Sequence, residues 1–295
     1  MITSFSTTYT TYQHITYICE MKGLKSIFDF YINSSIHVAL SVVCLALISQ
    51  KELNLLHEQN FNWFLFLGTI TGYNFVKYAA LAGLHHRNLT ERLKSIQIFS
   101  VFCFIALIYL GVQFEFQFWI FCLPLALLTL LYALPFLPHK KNLRMIPTLK
   151  IFIIAAVWSG VSVYLPVVYN LTDWSIEATL LTTQRFLLVL ALIIPFEIRD
   201  FNYDASNLGT LPQLLGIKKT KLFGLLMLTA CVILEIFRES WFSSTSILHF
   251  IMLGITGFSI VKAKANQPAY YASFFVEGIP TLWFLLYFIF SEFTC

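Results

Sequence analysis

The chain has 295 residues, of which 58% are hydrophobic, 17% aromatic and only 12% charged, with a formal net charge of +4. The chain holds 30 phenylalanines, more than the core of a soluble protein of this size accommodates. The composition therefore excludes an ordinary soluble enzyme and indicates a membrane protein. None of the six cysteines forms a Cys-x-x-Cys pair, which argues against a zinc site and a disulfide framework. We expect the bilayer, and no nucleic acid, as a partner.

Residues 1–24 form a predicted cytoplasmic N-terminal segment, which is rich in threonine and tyrosine and lacks the apolar core of a signal peptide. Met21 begins the sequence Met-Lys-Gly-Leu-Lys, so a translation start at Met21 is an alternative to one at Met1. The mass of the native product distinguishes the two starts. We expect residues 25–295 to form a single nine-helix transmembrane domain.

The rest of the chain holds nine apolar segments that are long enough to cross a bilayer. Because a spanning segment must satisfy its own backbone hydrogen bonds, each is predicted to be an α-helix. The predicted fold class is therefore all-α, a polytopic membrane helical bundle of about nine transmembrane helices. The segments cover residues 32–49, 61–84, 96–113, 115–137, 148–169, 178–197, 220–237, 241–261 and 270–291.

The connections between these segments carry alternately many and few cations. One set of connections holds fifteen lysine and arginine residues, and the other set holds only Lys51 and Arg238. The cation-rich connections of membrane proteins lie on the cytoplasmic side. We therefore expect an integral membrane protein, for instance of the bacterial inner membrane, whose N-terminus and longest polar connection, residues 198–219, face the cytoplasm.

Three carboxylates lie where the sixth apolar segment ends. Glu197, Asp200 and Asp204 have the spacing i, i+3, i+7, which places them on one stripe of a helix. We expect Gly209 and Pro212 to end that helix. Oxygen ligands at this spacing suit Mg²⁺, which binds through one or two carboxylates and a substrate phosphate. The alternative is a solvated acidic turn at the membrane boundary.

Ionisable residues inside apolar segments are costly and therefore mark candidate functional sites. Lys77 and Glu277 both enter from the predicted cytoplasmic side, and their spacing leaves open whether they form a structural ion pair or contact a substrate. Arg185 lies toward the other end of the sixth segment, where we expect its side chain to reach the lipid headgroups.

The acidic motif Glu197-x-x-Asp200-x-x-x-Asp204 is followed by Thr210-Leu211-Pro212 and preceded by Leu131-Tyr132-Ala133-Leu134-Pro135. With these motifs, and with Asn74 and Trp158, the chain from about residue 25 onward resembles the UbiA superfamily of intramembrane prenyltransferases. The resemblance implies a helical bundle with a cytoplasmic-facing cavity and a lateral opening to lipid. There, two Asp-rich motifs hold Mg²⁺ and an isoprenyl diphosphate, whose prenyl group is transferred to an acceptor that is often aromatic.

The resemblance places the second Asp-rich motif at Glu197, Asp200 and Asp204, but the residues of the first motif are largely replaced. Of its Asn-Asp-x-x-Asp-x-x-x-Asp pattern only Asn74 is kept, and Phe75, Tyr78 and Ala82 stand at the carboxylate positions. The implied metal ligands are Glu197, Asp200 and Asp204; the implied catalytic residues are Asp200, Asp204 and Lys77; and the implied substrate-binding residues are Asn74, Tyr132, Arg199 and Glu277.

Three functions follow from these observations. The first is a prenyltransferase with an atypical metal site, which transfers an isoprenyl group from a diphosphate donor to an aromatic or lipid acceptor. The alternative is a catalytically inactive protein of UbiA fold that binds lipid or isoprenoid, in which Lys77 pairs with Glu197 in place of a metal. A transporter is the weakest interpretation, because the sequence has no pair of broken helices in corresponding halves.

Overall fold

The computed structural model describes residues 23–82, 91–136, 142–202, 209–238 and 243–292, and these residues form helices with no β-strand among them. The predicted all-α class is confirmed, and a helix lies at each predicted apolar segment. The helices are α1 Gly23–Asn33, α2 Ile36–Glu52, α3 Gln59–Ala82, α4 Glu91–Gly111, α5 Phe116–Ala133, α6 Leu149–Ser159, α7 Leu165–Tyr169, α8 Ile176–Asp200, α9 Leu211–Ile236, α10 Ser244–Lys262 and α11 Ile279–Glu292.

The predicted count of nine membrane spans is not confirmed. Within the described part of the chain, six helical stretches are long and apolar enough to cross a membrane, or seven if α1 and α2, which meet at 51°, count as one span. Polar residues lower the hydropathy of α3, whereas α9 is apolar but carries the charged residues Lys218, Lys219, Lys221 and Glu235. The six stretches are Leu93–Gly111, Phe116–Ala133, Leu149–Tyr169, Ile176–Asp200, Thr245–Lys262 and Tyr271–Phe290.

The outer faces of α4 and α5 are apolar and exposed. Phe102 on α4 is 67% exposed, and Leu123 on α5 is 61% exposed. A soluble monomer rarely exposes such a continuous apolar surface, whereas a bilayer accommodates it without cost. These faces, together with the long apolar helices, identify an integral membrane protein.

Helix α8 forms the centre of the bundle. Most of its residues from Leu188 to Ile194 are buried, and the helix packs against α6, α9 and α10. Gly224 of α9 allows a close approach, because a Cβ atom there would lie 3.0 Å from side-chain atoms of both Ile194 and Ile260. The close packing at the centre of the bundle therefore fixes the position of α8 and of both its ends.

Two π-helical turns interrupt the spans near the predicted site. Gly160–Tyr164 separates α6 from α7, and Tyr271–Val276 precedes α11. Such turns are rare and occur frequently at functional sites, because they rotate the following side chains out of the regular helical register. Here the first follows Trp158 closely and the second immediately precedes Glu277.

The connection after α8 differs from its prediction. Helix α8 ends at Asp200, before Gly209, and Pro212 lies in the first turn of α9, which it begins. Gly209 has a φ of +61°, and its carbonyl accepts a hydrogen bond from the Thr148 amide at 3.2 Å. Pro212 therefore starts a helix where it was expected to end one, since proline fits the first helical turn without losing a hydrogen bond. Asp204 and Met21 lie outside the described residues.

Candidate functional site

Most of the predicted site residues come together at the end of the bundle where α8 ends and α6 begins. Tyr132 lies within electrostatic range of Lys150 and Glu197, and Glu277 lies within range of Lys77 and Arg199. Tyr73 links the two groups, because its phenol interacts with both Glu277 and Tyr132. We call this group the charged cluster; it comprises Lys77, Tyr132, Arg144, Lys150, Glu197, Arg199, Asp200 and Glu277.

Glu197 is paired with Lys150 and not with Lys77. The Lys150 ammonium lies 2.7 Å from Glu197 Oε1, and the Glu197 side chain is only 3% exposed. Lys77 instead donates a hydrogen bond to the Asn33 carbonyl at 3.2 Å. The sequence interpretation that paired Lys77 with Glu197 is therefore wrong, because the packing of α6 on α8 brings the lysine of α6 to this carboxylate.

Asp200 is paired with its neighbour in the chain. Arg199 Nε lies 2.7 Å from Asp200 Oδ1, and Arg199 Nη2 lies 3.3 Å from Asp200 Oδ2. The guanidinium also covers the Phe196 ring at 5.2 Å. The two side chains are 29% and 34% exposed, and ion pairs that reach solvent contribute little and exchange partners readily.

Lys77 keeps most of its hydrogen-bonding capacity. An ammonium group has three donors, and the Asn33 carbonyl accepts one of them. Tyr78 donates to the same carbonyl at 3.0 Å. Among the described residues Lys77 forms no ion pair within 4 Å, although Glu277 acts on it at longer range. Of the two alternatives that the sequence left open, the structural ion pair between Lys77 and Glu277 is therefore not formed.

Glu277 and a pair of aromatic residues line the other side of the charged cluster. The Ser41 hydroxyl donates to the Glu277 carbonyl at 2.5 Å and fixes the backbone after the π-helical turn. The Trp158 indole donates to the Tyr73 hydroxyl at 2.6 Å. Glu277 interacts electrostatically with Lys77 and Arg199, and Tyr73 with Glu277. Cations next to aromatic rings suit a ligand with an anionic head and an unsaturated chain.

Asn74 is held by hydrogen bonds within the protein. Its amide donates to the Ser34 carbonyl at 2.9 Å and to the Ser100 hydroxyl at 2.8 Å, and its carbonyl oxygen accepts from Ser35 at 2.8 Å. Asn74 therefore ties α3 to the turn between α1 and α2 and to α4. Its contact with a substrate stays a prediction.

Sequence reasoning did not select three members of this region. Lys150, Arg144 and Tyr73 act on the predicted residues, yet the sequence marked the two cations only as part of the positive-inside count. The sequence did contain an indication that Lys150 belongs to this region. Lys150 lies in the first turn of an apolar helix, where its long side chain reaches back to the end of the bundle.

The described donors do not fit a Mg²⁺ site of the expected kind. The described residues contain no group of three histidine, cysteine, aspartate or glutamate side chains that would hold a metal ion. Glu197 and Asp200 each lie against a cation of the protein, and Phe75 and Tyr78 occupy carboxylate positions of the first motif. The role of Asp204 as a metal ligand stays a prediction.

A second group of charges lies buried at the opposite end of α8. Arg185 is 0% exposed, and its Nη2 atom lies 3.1 Å from both carboxylate oxygens of Glu52. Arg238 joins the same carboxylate at 3.0 Å and Glu235 at 3.3 Å. Burial alone would lower the pKa of the Arg238 guanidinium, but the carboxylates of Glu52, Glu235 and Glu177 raise it above its ordinary value. The expected reach of Arg185 to the headgroups is wrong, because an ion pair inside the bundle holds its side chain.

Two apolar grooves open on the sides of the bundle, away from the charged cluster. One, of about 470 Å³, lies between α9 and α10 beside Leu228, Gly254 and Gly257. The other, of about 410 Å³, lies between α6 and α8 beside Gly160 and Phe186. Such grooves accommodate lipid chains in a bilayer. The predicted lateral opening beside the charged cluster stays a prediction.

No family model and no curated protein matches the sequence, whereas solved structures match over most of their length. A UbiA homologue from Archaeoglobus fulgidus bound to DMAPP and Mg²⁺ has a TM-score of 0.58 at 10% identity, over 87% of this chain and 96% of that one. An apo UbiA homologue from Aeropyrum pernix K1 has a TM-score of 0.55 at 15% identity, over 85% and 97% of the two chains.

A third similar structure comes from work on digeranylgeranylglyceryl phosphate synthase in membranes, with a TM-score of 0.53 at 17% identity over 89% of this chain and 98% of that one. These identities are too low to transfer an activity, and the likeness is one of fold. The resemblance predicted from the sequence is confirmed at that level: the chain has the fold of the UbiA homologues.

Proposed function

We propose that this protein is an intramembrane prenyltransferase of UbiA type. It binds an isoprenyl diphosphate at the charged cluster and transfers the prenyl group to an aromatic or lipid acceptor. The observation that carries the proposal is the grouping of Lys77, Lys150 and Arg199 in the charged cluster. Tyr73, which accepts a hydrogen bond from Trp158, interacts with Glu277 and Tyr132 of the same cluster. The similarity in fold to a homologue solved with DMAPP supports the same substrate class.

The proposed prenyl transfer requires the site to stabilise two opposite charges that develop in the reaction. The bond between the prenyl C1 carbon and the diphosphate oxygen breaks, and its electron pair leaves with the diphosphate. Lys77, Lys150 and Arg199 stabilise that leaving group, since cations held in place beforehand lower the cost of developing negative charge. The faces of Tyr73 and Trp158 stabilise the allylic cation that remains.

Glu277 completes the proposed reaction. When a nucleophilic atom of the acceptor attacks the allylic cation, a carbon–nucleophile bond forms and the acceptor must lose a proton. The Glu277 carboxylate, which interacts with Lys77 and Arg199, takes that proton. The positive-inside asymmetry supports placing this end of the bundle on the cytoplasmic side.

A second candidate function is binding without transfer. The replacement of first-motif carboxylates by Phe75 and Tyr78 favours it, because a site that has lost ionisation chemistry keeps its affinity for an anionic lipid head. Under this alternative the charged cluster holds the phosphate of a lipid or isoprenoid.

One experiment distinguishes the two candidates. Purified protein in lipid nanodiscs is incubated with a radiolabelled isoprenyl diphosphate and an extract of membrane lipids and phenolic acceptors, and labelled products and released diphosphate are measured. Acceptor-dependent release with a labelled product establishes transfer. Stoichiometric binding without release establishes the binding function, and the absence of both contradicts each candidate. The variant Lys218→Met, which removes an exposed lysine of α9, controls for loss of charge.

A further inference from the structure

The carboxylates that would form a metal cage in this fold are either replaced or already neutralised. At the first motif, Phe75 and Tyr78 provide no carboxylate. At the second motif, Glu197 lies 2.7 Å from the Lys150 ammonium, and Asp200 lies 2.7 Å from Arg199. A Mg²⁺ ion that took these ligands would lie close to both cations and be repelled by them.

The charged cluster also has an excess of cations. Its described members are four cations, Lys77, Arg144, Lys150 and Arg199, and three carboxylates, Glu197, Asp200 and Glu277. Among the described residues neither Lys77 nor Arg144 forms an ion pair within 4 Å. Adding a divalent cation to such a cluster increases its repulsion, whereas adding an anion with several charges relieves it.

The cations retain donors for an anionic ligand. Two of the three donors of Lys77 are not used by the Asn33 carbonyl. The Arg199 guanidinium has five N–H donors in a planar fork, of which Asp200 accepts two. Because this ion pair is a third exposed, a phosphate group displaces Asp200 at little cost.

We propose that the charged cluster binds a diphosphate group directly through Lys77, Arg199, Lys150 and Arg144, without a divalent metal ion. This inference rests on the proposed function, since it takes the isoprenyl diphosphate as the ligand. Under this proposal, side chains of the protein neutralise the charge of the diphosphate, which metal ions neutralise in other diphosphate sites. Lys77 is the central residue, because it occupies the first-motif helix and interacts with Glu277 and Arg199.

The test is calorimetric binding of farnesyl diphosphate to the full-length protein in nanodiscs, once with EDTA and once with Mg²⁺, with farnesol as the ligand that lacks the anionic head. We expect the same Kd, within about threefold, under both conditions, and no comparable binding of farnesol. Lys77→Met should raise the Kd roughly tenfold or more, because it removes a charged hydrogen bond to the ligand. Lys77→Arg, which keeps the charge, and the control Lys218→Met should not raise the Kd in this way.

The outcomes separate this inference from the proposed function. Binding that occurs only with Mg²⁺ overturns the inference but leaves prenyl transfer intact, and it would make Asp204 the residue to study. Binding in EDTA that Lys77→Met leaves unchanged also overturns it, as does the absence of binding under both conditions. Metal-independent binding that Lys77→Met weakens supports it, even if no labelled transfer product is found.

Discussion

Replacing Arg185 by methionine should destabilise the bundle strongly, although the residue lies far from the charged cluster. The side chain is 0% exposed, contacts both oxygens of Glu52 at 3.1 Å and covers the Trp283 ring at 4.6 Å. Removing one partner of a buried ion pair costs about 3–5 kcal/mol, because the remaining charge is left without compensation. Arg238 still reaches Glu52 at 3.0 Å, so we expect the lower end, about 3 kcal/mol.

The assay is thermal unfolding in detergent, followed by circular dichroism. Lys51→Met, which removes an exposed cation next to Glu52, is the matched control and should cost less than about 1 kcal/mol. The double variant Arg185→Met with Glu52→Gln should recover part of the loss, because it removes the uncompensated carboxylate. Equal stability of Arg185→Met and Lys51→Met, or a double variant whose losses simply add, would refute the reasoning.

Three further predictions concern the end of α8 and its connection. Glu197→Gln should lower the free energy of unfolding by about 1–3 kcal/mol, since it removes the buried carboxylate that pairs with the half-buried Lys150; an unchanged thermal unfolding midpoint would contradict this. Asp200→Asn should free Arg199 and tighten farnesyl diphosphate binding in EDTA; calorimetry that shows no tightening in EDTA would contradict this, and a loss of binding seen only with Mg²⁺ would indicate a metal ligand. Gly209→Ala should destabilise more than Gly216→Ala in urea titration, because both have positive φ but only at Gly209 would a Cβ lie 2.7 Å from Pro147.

The sequence predicted the elements well because the information needed for them is local. Apolar length and spacing located each helix, and the placement of Lys77 and Glu277 at one end followed from counting along their segments. The ion-pair partners were not predictable in this way. Arg185 meets Glu52 across 133 positions, and Glu197 meets Lys150 on another helix, so both pairs depend on how the helices pack. The sequence therefore located the helices but did not identify the ion-pair partners of their charged residues.

The buried network around Glu52 has a consequence for how the helices can move against one another. Its members belong to α2, α8 and α9 and extend to His249 on α10, which lies 3.1 Å from Glu235 and stacks on Trp283 of α11 at 4.8 Å. Helices joined in this way at one end cannot separate there without stranding charges in a water-poor interior. The network therefore opposes any movement that would separate α2, α8, α9 and α10 at this end of the bundle, and a motion of the helices is easier at the end that holds the charged cluster.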